Sequence, residues 1–227
     1  VLFLGDAFTS RRPTQLEYNT MCEWVSALVK IKKYVILLKG NHDQQRDVST
    51  LDVFESLKVD LEDPLSKYVK VVNTNYIENG IFLGHFVIRE AVLGGSNYHL
   101  ESAVTVEQLT TRYPDVKLFL MGDIHKPQQV WQSPPIYYAG SIDRNNFGER
   151  NNEPRVLLVN SDDYSVESIP LSVRPMAQLE LSAGDYTIKD LLIFVSDLTG
   201  AVVKVVISGT EDDLSKVDIS EIRQALK

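Results

Sequence analysis

The first apolar run, Val1-Leu2-Phe3-Leu4, passes straight into Gly5-Asp6. Four consecutive apolar residues closed by a turn signal predict a buried strand. Pro13–Glu17 then reads as a helix start, because Thr14 can cap and Glu17, three residues on, completes a capping box. Leu16, Met21, Trp24, Val25 and Leu28 follow at spacings that place them on one helical face. Tyr34–Leu38 is a second continuous apolar run, with Gly40 just beyond it. Strand, helix and strand within ~40 residues predict a βαβ unit.

Further along, Thr50–Leu57 reads as a short helix, and Val69–Val72 and Ile81–Leu83 as short strands. Thr105-Val106-Glu107-Gln108 is another capping box, and its helix has to stop near Pro114. Val116–Met121 is an apolar run ending in Gly122. Val130–Trp131, Ile136–Ala139 and Arg155–Asn160 are strand-like, separated by Pro, Asn and Gly, and predict a meander or a second sheet. The pattern changes after Arg174-Pro175. Leu179–Leu181 predicts a strand, Thr187–Leu198 an amphipathic helix, and Val202–Ile207 a β-branched strand. Asp212-Asp213 reads as part of a polar loop. Asp218-Ile219-Ser220-Glu221 reads as a capping box for a helix running to Lys227. The class is α/β, with one region over 1–174 and a smaller α/β region over 175–227.

Composition narrows the function classes. The chain has 227 residues, 44% hydrophobic and 24% charged, which is globular composition. Its longest apolar runs fall far short of the ~18 residues of a membrane span. The single cysteine, Cys22, excludes a disulfide framework or a Cys-rich zinc site. The net charge of −8 argues against a passive nucleic-acid binder and suits a site where carboxylates hold divalent cations. Beginning as it does on an apolar strand without Met, the sequence carries the expectation that the natural protein extends upstream.

Candidate chemistry sits at the strand ends. Gly5-Asp6 follows the first predicted strand, Gly40-Asn41-His42-Asp43 the second, Gly84-His85 a third and Gly122-Asp123-Ile124-His125 a fourth. In open α/β sheets, ligands bind outside the carboxyl ends of the strands. Three of the four histidines lie in these clusters; the remaining one, His99, reads as a surface loop residue. Asp, Asn and His without thiolate suit Mn²⁺, Fe²⁺ or Zn²⁺ better than Ca²⁺. Two such ions sharing a bridging carboxylate are a recurring device for phosphoester cleavage, and Asp6 is the candidate bridge. Taken singly, each cluster also has an ordinary reading as a strand-end turn or, for His85, a buried core histidine.

These clusters resemble the motifs of calcineurin-like metallophosphoesterases, and within that superfamily the SbcD-type nuclease subunit. Gly5-Asp6-Ala7-Phe8-Thr9-Ser10-Arg11-Arg12-Pro13 is similar to that family's Gly-Asp-Leu-Phe-His/Asp-Ser-x-x-Pro stretch. Ile124-His125-Lys126-Pro127-Gln128, Tyr138-Ala139-Gly140-Ser141, Phe147-Gly148-Glu149, and Ile169-Pro170-Leu171 with Arg174-Pro175 resemble further family stretches. The resemblance implies a layered metallophosphoesterase β-sandwich flanked by helices, followed by the start of a small α/β DNA-capping domain. It implies two divalent ions, normally Mn²⁺: Asp6 bridging, Asn41 and His85 on the second ion, His125 on the first. It makes His42 the group that stabilises the transition state or protonates the leaving oxygen. Asp43 is expected to orient His42, as carboxylates do for imidazoles. Arg11, Arg12 and Lys126 are candidates for DNA phosphates.

Three departures stand out. The family's preceding Asp-x-His motif is absent, and is expected upstream; without it the sequence is expected to hold one metal well and to cleave little. Asp123 replaces a family histidine and remains a candidate metal ligand. Thr9 replaces a histidine found in many members, which bears on the balance of exonuclease and endonuclease activity. The implied partners are DNA, an SbcC-type coiled-coil ATPase and a second copy of the chain, with no membrane. The implied setting is the cytoplasm, nucleoid-associated or phage-encoded in a bacterial host. The implied role lies in double-strand-break repair, recombination or replication. The alternatives are another phosphoesterase of the superfamily, or a scaffold subunit that has lost catalysis. On the first reading, four positive charges from two bound ions offset the acidic balance where phosphate sits.

Overall fold

A computed structural model describes residues 1–45, 48–56, 65–93, 103–184, 187–196 and 198–225. The protein is mixed α/β with several sheets. Its elements run β1 (Leu2–Phe3), α1 (Gln15–Lys30), β2 (Val35–Leu38), β3 (Gln44–Gln45), β4 (Val48–Ser49), α2 (Asp52–Ser56) and α3 (Leu65–Tyr68). Then come β5 (Val69–Val72), β6 (Asn75–Glu78), β7 (Ile81–His85), α4 (Val106–Arg112), β8 (Leu118–Gly122), β9 (Gln128–Gln132) and β10 (Pro135–Tyr138). The chain closes with β11 (Arg155–Val159), β12 (Val166–Pro170), β13 (Met176–Ser182), α5 (Ile188–Val195), β14 (Val202–Ser208), α6 (Glu211–Leu214) and α7 (Ile219–Ala225). Two compact units emerge, one of 1–142 with 155–170, the other of 143–154 with 171–227.

In the first unit, β1, β2 and β5 form a parallel three-stranded sheet in that order. The second sheet runs β6-β7-β8-β10-β9, with β7, β8 and β10 parallel and β6 and β9 antiparallel at its edges. Side chains alternate across each strand, and three hydrophobic clusters follow from that. Val35, Leu37, Val69 and Val71 pack against Met21, Val25 and Val29 of α1 and Phe54 of α2. Phe82, Phe119, Met121, Ile136 and Tyr138 pack against Val106 and Leu109 of α4. Leu38 and Val72 of the first sheet join Leu83, Leu118 and Leu120 of the second in a shared cluster. Helices thus cover the outer face of each sheet, and the inner faces share one core.

The capping boxes form as expected. Thr14 Oγ1 accepts from the Glu17 amide at 3.3 Å while Glu17 Oε2 accepts from the Thr14 amide at 2.6 Å. Thr105 and Gln108 repeat the reciprocal pair, and α4 stops at Arg112. Other expectations need correction. The strand predicted over Val1–Leu4 spans Leu2–Phe3 and pairs with β2 among the described residues, with Val1 49% and Leu2 38% exposed. Leu16 is 75% exposed; the buried face of α1 is Met21, Val25 and Val29. The strand expected from Val116 begins at Leu118. The short helix expected over Thr50–Leu57 is α2, and Leu57 lies outside the described residues, as does His99.

The second unit is built on β13 and β14, paired parallel from Met176↔Val202 to Ser182↔Ser208. Leu191 of α5 and Ile222 of α7 are buried apolar side chains on those helices. Asp212 and Asp213, expected in a loop, lie in α6: Thr210 caps it by accepting from the Asp213 amide at 3.3 Å. Asp218 Oδ1 accepts from the Ser220 and Glu221 amides at the start of α7, and residues 226–227 lie outside the described residues. Segment 143–154 carries a 3-10 turn at Phe147–Glu149, where the buried Glu149 carboxylate accepts from the Asn145 amide and Asn146 Nδ2. Arg144 donates to the Asn152 and Arg174 carbonyls, tying this segment to its unit. Among the described residues no helix is long and apolar enough to cross a membrane.

Candidate metal centre

The polar clusters fall at the carboxyl ends of β1, β2, β7 and β8, two strands from each sheet. Close backbone approach draws these ends together. A Cβ on Gly122 would lie 1.9 Å from the Leu4 carbonyl oxygen and 2.8 Å from His85 Nδ1. A Cβ on Gly40 would lie 2.1 Å from Asp6 Oδ1. Gly5 has a φ of +94°, in the region glycine favours. Each of these glycines therefore lets a site residue approach where any side chain would collide.

Asp6, His85 and Asp123 form a group whose ligand atoms all lie within 4.8 Å of one another. His85 Nε2 is 3.3 Å from Asp6 Oδ2 and 3.9 Å from Asp123 Oδ1. The other ring nitrogen, Nδ1, sits 2.6 Å from the Leu4 carbonyl oxygen. A carbonyl only accepts, so Nδ1 carries the proton and Nε2 is left facing the carboxylates. That is the arrangement by which proteins orient a metal-binding imidazole. Asn41 completes the cluster. With its oxygen turned inward, Oδ1 is 3.1 Å from His85 Nε2. With its nitrogen inward, it donates to Asp6 Oδ2 at 3.0 Å and Oδ1 at 3.1 Å. The nitrogen-inward orientation also meets His85 Nε2 at 3.1 Å and satisfies these groups by itself, whereas the oxygen-inward one presents a further oxygen that a cation would accept. Asp6, His85 and Asp123 could hold a cation, and Asn41 could add a fourth ligand when its oxygen turns inward.

Both carboxylates stand on left-handed backbone, Asp6 at φ 52° and Asp123 at φ 84°. Asp tolerates this region better than most residues, yet such conformations cost ~1–3 kcal/mol each and cluster at functional sites. That cost is comparable to burying one large side chain, ~1.5–3 kcal/mol. Leu37, Leu38, Phe82, Leu118 and Phe119 are all fully buried in the sheets that carry these turns, so the cores can sustain the strain.

Electrostatics bind the group further. Burial alone would raise the Asp6 carboxyl, but the hydrogen bond and charge of His85 outweigh it, aided by the His42 amide, and hold it below its usual value. His85 is moved the other way. Burial lowers it, but the Asp6 hydrogen bond and charge raise it above the usual imidazole value. Asp123 is pushed up, first by burial and then by the charge of Asp6, against the pull of His85, His125 and His42.

Asp43 corrects an expectation. Its fully buried carboxylate accepts from the Gly40 amide (2.9 Å), the Ala7 amide (3.3 Å) and the Phe8 amide (3.2 Å). Among the described residues no hydrogen bond joins Asp43 to the His42 ring. Asp43 instead clamps the Asp6 turn to the Asn41 turn, because three amide donors converge where the buried charge needs them. Burial raises the Asp43 carboxyl against these amides, and the Asp6 charge adds to the rise. The His42 ring is oriented by the Thr9 carbonyl, 3.2 Å from its Nδ1, which leaves Nε2 outward on an exposed side chain.

The remaining candidates are placed as follows. His125 stands outside the three-residue group but is close enough for its charge to act on Asp123. Its carbonyl accepts from the Ser141 amide at 3.1 Å, so the Gly140-Ser141 turn holds the His125 loop. Gln128 steadies the same loop, donating to the Lys126 carbonyl at 3.1 Å and to the Val92 carbonyl at 2.9 Å. Arg11 is exposed, with Nε 3.4 Å from the Asn41 carbonyl, beside the cluster. Arg12 is exposed and Lys126 half-buried. Sequence reasoning missed the Leu4 and Thr9 carbonyls that orient His85 and His42, since backbone carbonyls leave no mark in a sequence. No family model matches the chain, and no curated protein matches its sequence.

Proposed function

We propose that the protein is a divalent-metal-dependent phosphodiesterase, and specifically a DNA nuclease subunit of the SbcD type. The observation that carries the reading is the convergence of Asp6, Asn41, His85 and Asp123 from four strand ends, with His85 Nδ1 committed to a carbonyl. The two helix-covered sheets sharing an inner core support the layered metallophosphoesterase sandwich, and residues 175–227 are read as part of its DNA-capping domain. When bound, the metal ions, Mn²⁺ by preference, would supply a Lewis acid and make a water easy enough to deprotonate that hydroxide is available at neutral pH.

The chain's own residues supply the rest. Asp6, Asn41, His85 and Asp123 would hold one ion, and His125 with Asp6 would hold the other. Asp43 keeps the Asp6 and Asn41 turns in register. Thr9 holds the His42 ring so that Nε2 can stabilise negative charge or, when protonated, donate to the leaving oxygen. Arg11, Arg12 and Lys126 would meet backbone phosphates, a role arginine performs bidentately. The proposed partners are DNA, an SbcC-type ATPase and a second copy of the chain, working in the cytoplasm on broken or replicating DNA.

The test is hydrolysis of a chromogenic phosphodiester and of linear duplex DNA by the protein carrying this sequence, supplied with Mn²⁺. Weak but measurable cleavage of both is expected, in keeping with the absent Asp-x-His motif, with His42→Ala abolishing it and leaving Mn²⁺ binding intact. Hydrolysis of the small ester with no action on DNA would refute the nuclease assignment. Mn²⁺ bound with no hydrolysis of either would refute the enzyme.

A further inference from the structure

Donor chemistry separates this cluster from one built on imidazoles. Around His85 Nε2 lie Asp6 Oδ2 at 3.3 Å, Asp123 Oδ1 at 3.9 Å and the Asn41 amide end at 3.1 Å. His85 is the single imidazole of the group. With Asn41 turned oxygen-inward, the set is three oxygens to one nitrogen. We infer that Asp123 sets the cation preference of the site, favouring Mn²⁺ over Zn²⁺ relative to the same site with an imidazole at that position. This deepens the metal-dependent reading and rests on it.

The physical basis is ligand hardness. Carboxylate and carbonyl oxygens suit Mg²⁺ and Mn²⁺, whereas imidazole suits Zn²⁺, Ni²⁺ and Cu²⁺. Each exchange of an imidazole for a carboxylate therefore moves the relative affinities toward the harder ion. Asp123 is also held in place. It follows Gly122, whose Cα lies so close to the Leu4 carbonyl that no Cβ fits. Its backbone is fixed at φ 84°, and its side chain is 18% exposed. The carboxylate is thus confined to the wall of the cluster. His, like Asp and Asn, is enriched in the left-handed region, so exchanging Asp123 for His or Asn does not demand a new backbone.

The test measures Mn²⁺ binding from the paramagnetic resonance signal of the free ion, and Zn²⁺ binding by competition with a chromophoric chelator. The proteins are the unsubstituted chain, Asp123→His and Asp123→Asn, each with its circular dichroism recorded. Asp123→His is expected to raise the ratio of Zn²⁺ to Mn²⁺ affinity by at least about tenfold, the lower end of what altered metal surroundings produce. Asp123→Asn, which loses the charge, is expected to weaken Mn²⁺ binding by about tenfold. A folded Asp123→His protein whose ratio stays within about twofold of the parent overturns the inference. If Asp123→His does not fold, unchanged Mn²⁺ affinity in Asp123→Asn overturns it instead. The two readings fail separately: the ratio can move as expected in a protein that hydrolyses no phosphodiester, which sinks the enzyme and leaves the cation preference standing. A parent chain that binds neither ion sinks both.

Discussion

Replacing Asp43 by Asn separates the loop clamp from a role through His42. The carboxylate serves three amides, Oδ2 taking Gly40 and Ala7 and Oδ1 taking Phe8. An amide side chain keeps one acceptor oxygen. Its best orientation leaves that oxygen on Gly40 and Ala7 and turns NH₂ toward the Phe8 amide, so one buried donor loses its partner. That costs ~1–3 kcal/mol, and the two remaining hydrogen bonds lose their charge assistance, ~1 kcal/mol each. Relief of the buried charge offsets part of this, since burial disfavours the ionised carboxyl. The net expectation is a loss of about 2–3 kcal/mol. With a urea m value of ~2 kcal/mol per molar, the midpoint should fall by about 1–1.5 M at unchanged m. Both tryptophans, Trp24 and Trp131, lie in the first compact unit, so their fluorescence in chelator reports the unit that carries the clamp. Mn²⁺ affinity should fall with stability, because Asp6 and Asn41 each adjoin a clamped amide. A midpoint shift below about 0.3 M would refute the clamp. Intact stability with lost hydrolysis would point back to a role through His42.

The Asp6–His85 pair makes the metal-free protein's stability depend on pH. His85 is raised, so its contribution is full below about pH 6.5 and is lost as pH climbs through its folded value; Asp6 is lowered, so its contribution is full above about pH 3.9 and is lost as pH falls through its folded value. The stability gap between the parent and His85→Gln, measured in chelator, should therefore be larger at pH 5 than at pH 8, and a gap that grows toward pH 8 contradicts the pairing. Gly122→Ala places a Cβ against the Leu4 carbonyl and His85 Nδ1, and is expected to cost about 3 kcal/mol and to weaken Mn²⁺ binding. A protein with unaltered urea midpoint and Mn²⁺ affinity would show that the strand ends are not so closely joined.

What the sequence determined is local. Thr14 with Glu17, and Thr105 with Gln108, are visible because a capping box spans four consecutive residues whose groups meet within one helical turn. The four polar clusters are visible because glycine and a short polar residue after an apolar run mark the carboxyl end of a strand. Local patterning misled where exposure mattered: Val1–Leu4 is uniformly apolar, yet Val1 and Leu2 are exposed among the described residues. Leu16 is equally apolar and sits in the first turn of α1, outside the buried face.

The tertiary structure decided which clusters meet. Packing of the sheet β1-β2-β5 against the sheet β6-β7-β8-β10-β9 brings the ends of β1, β2, β7 and β8 together, and so Asp6 and His85 meet Asp123 within 4.8 Å. It decided that Asp43 serves amides rather than His42, because a buried carboxylate goes to the nearest donors: the Gly40 amide beside it and the Ala7 and Phe8 amides, 36 and 35 residues away in the chain. It decided the His85 tautomer through the Leu4 carbonyl, 81 residues distant. Every residue carries such a carbonyl, so only the folded backbone says which one an imidazole finds.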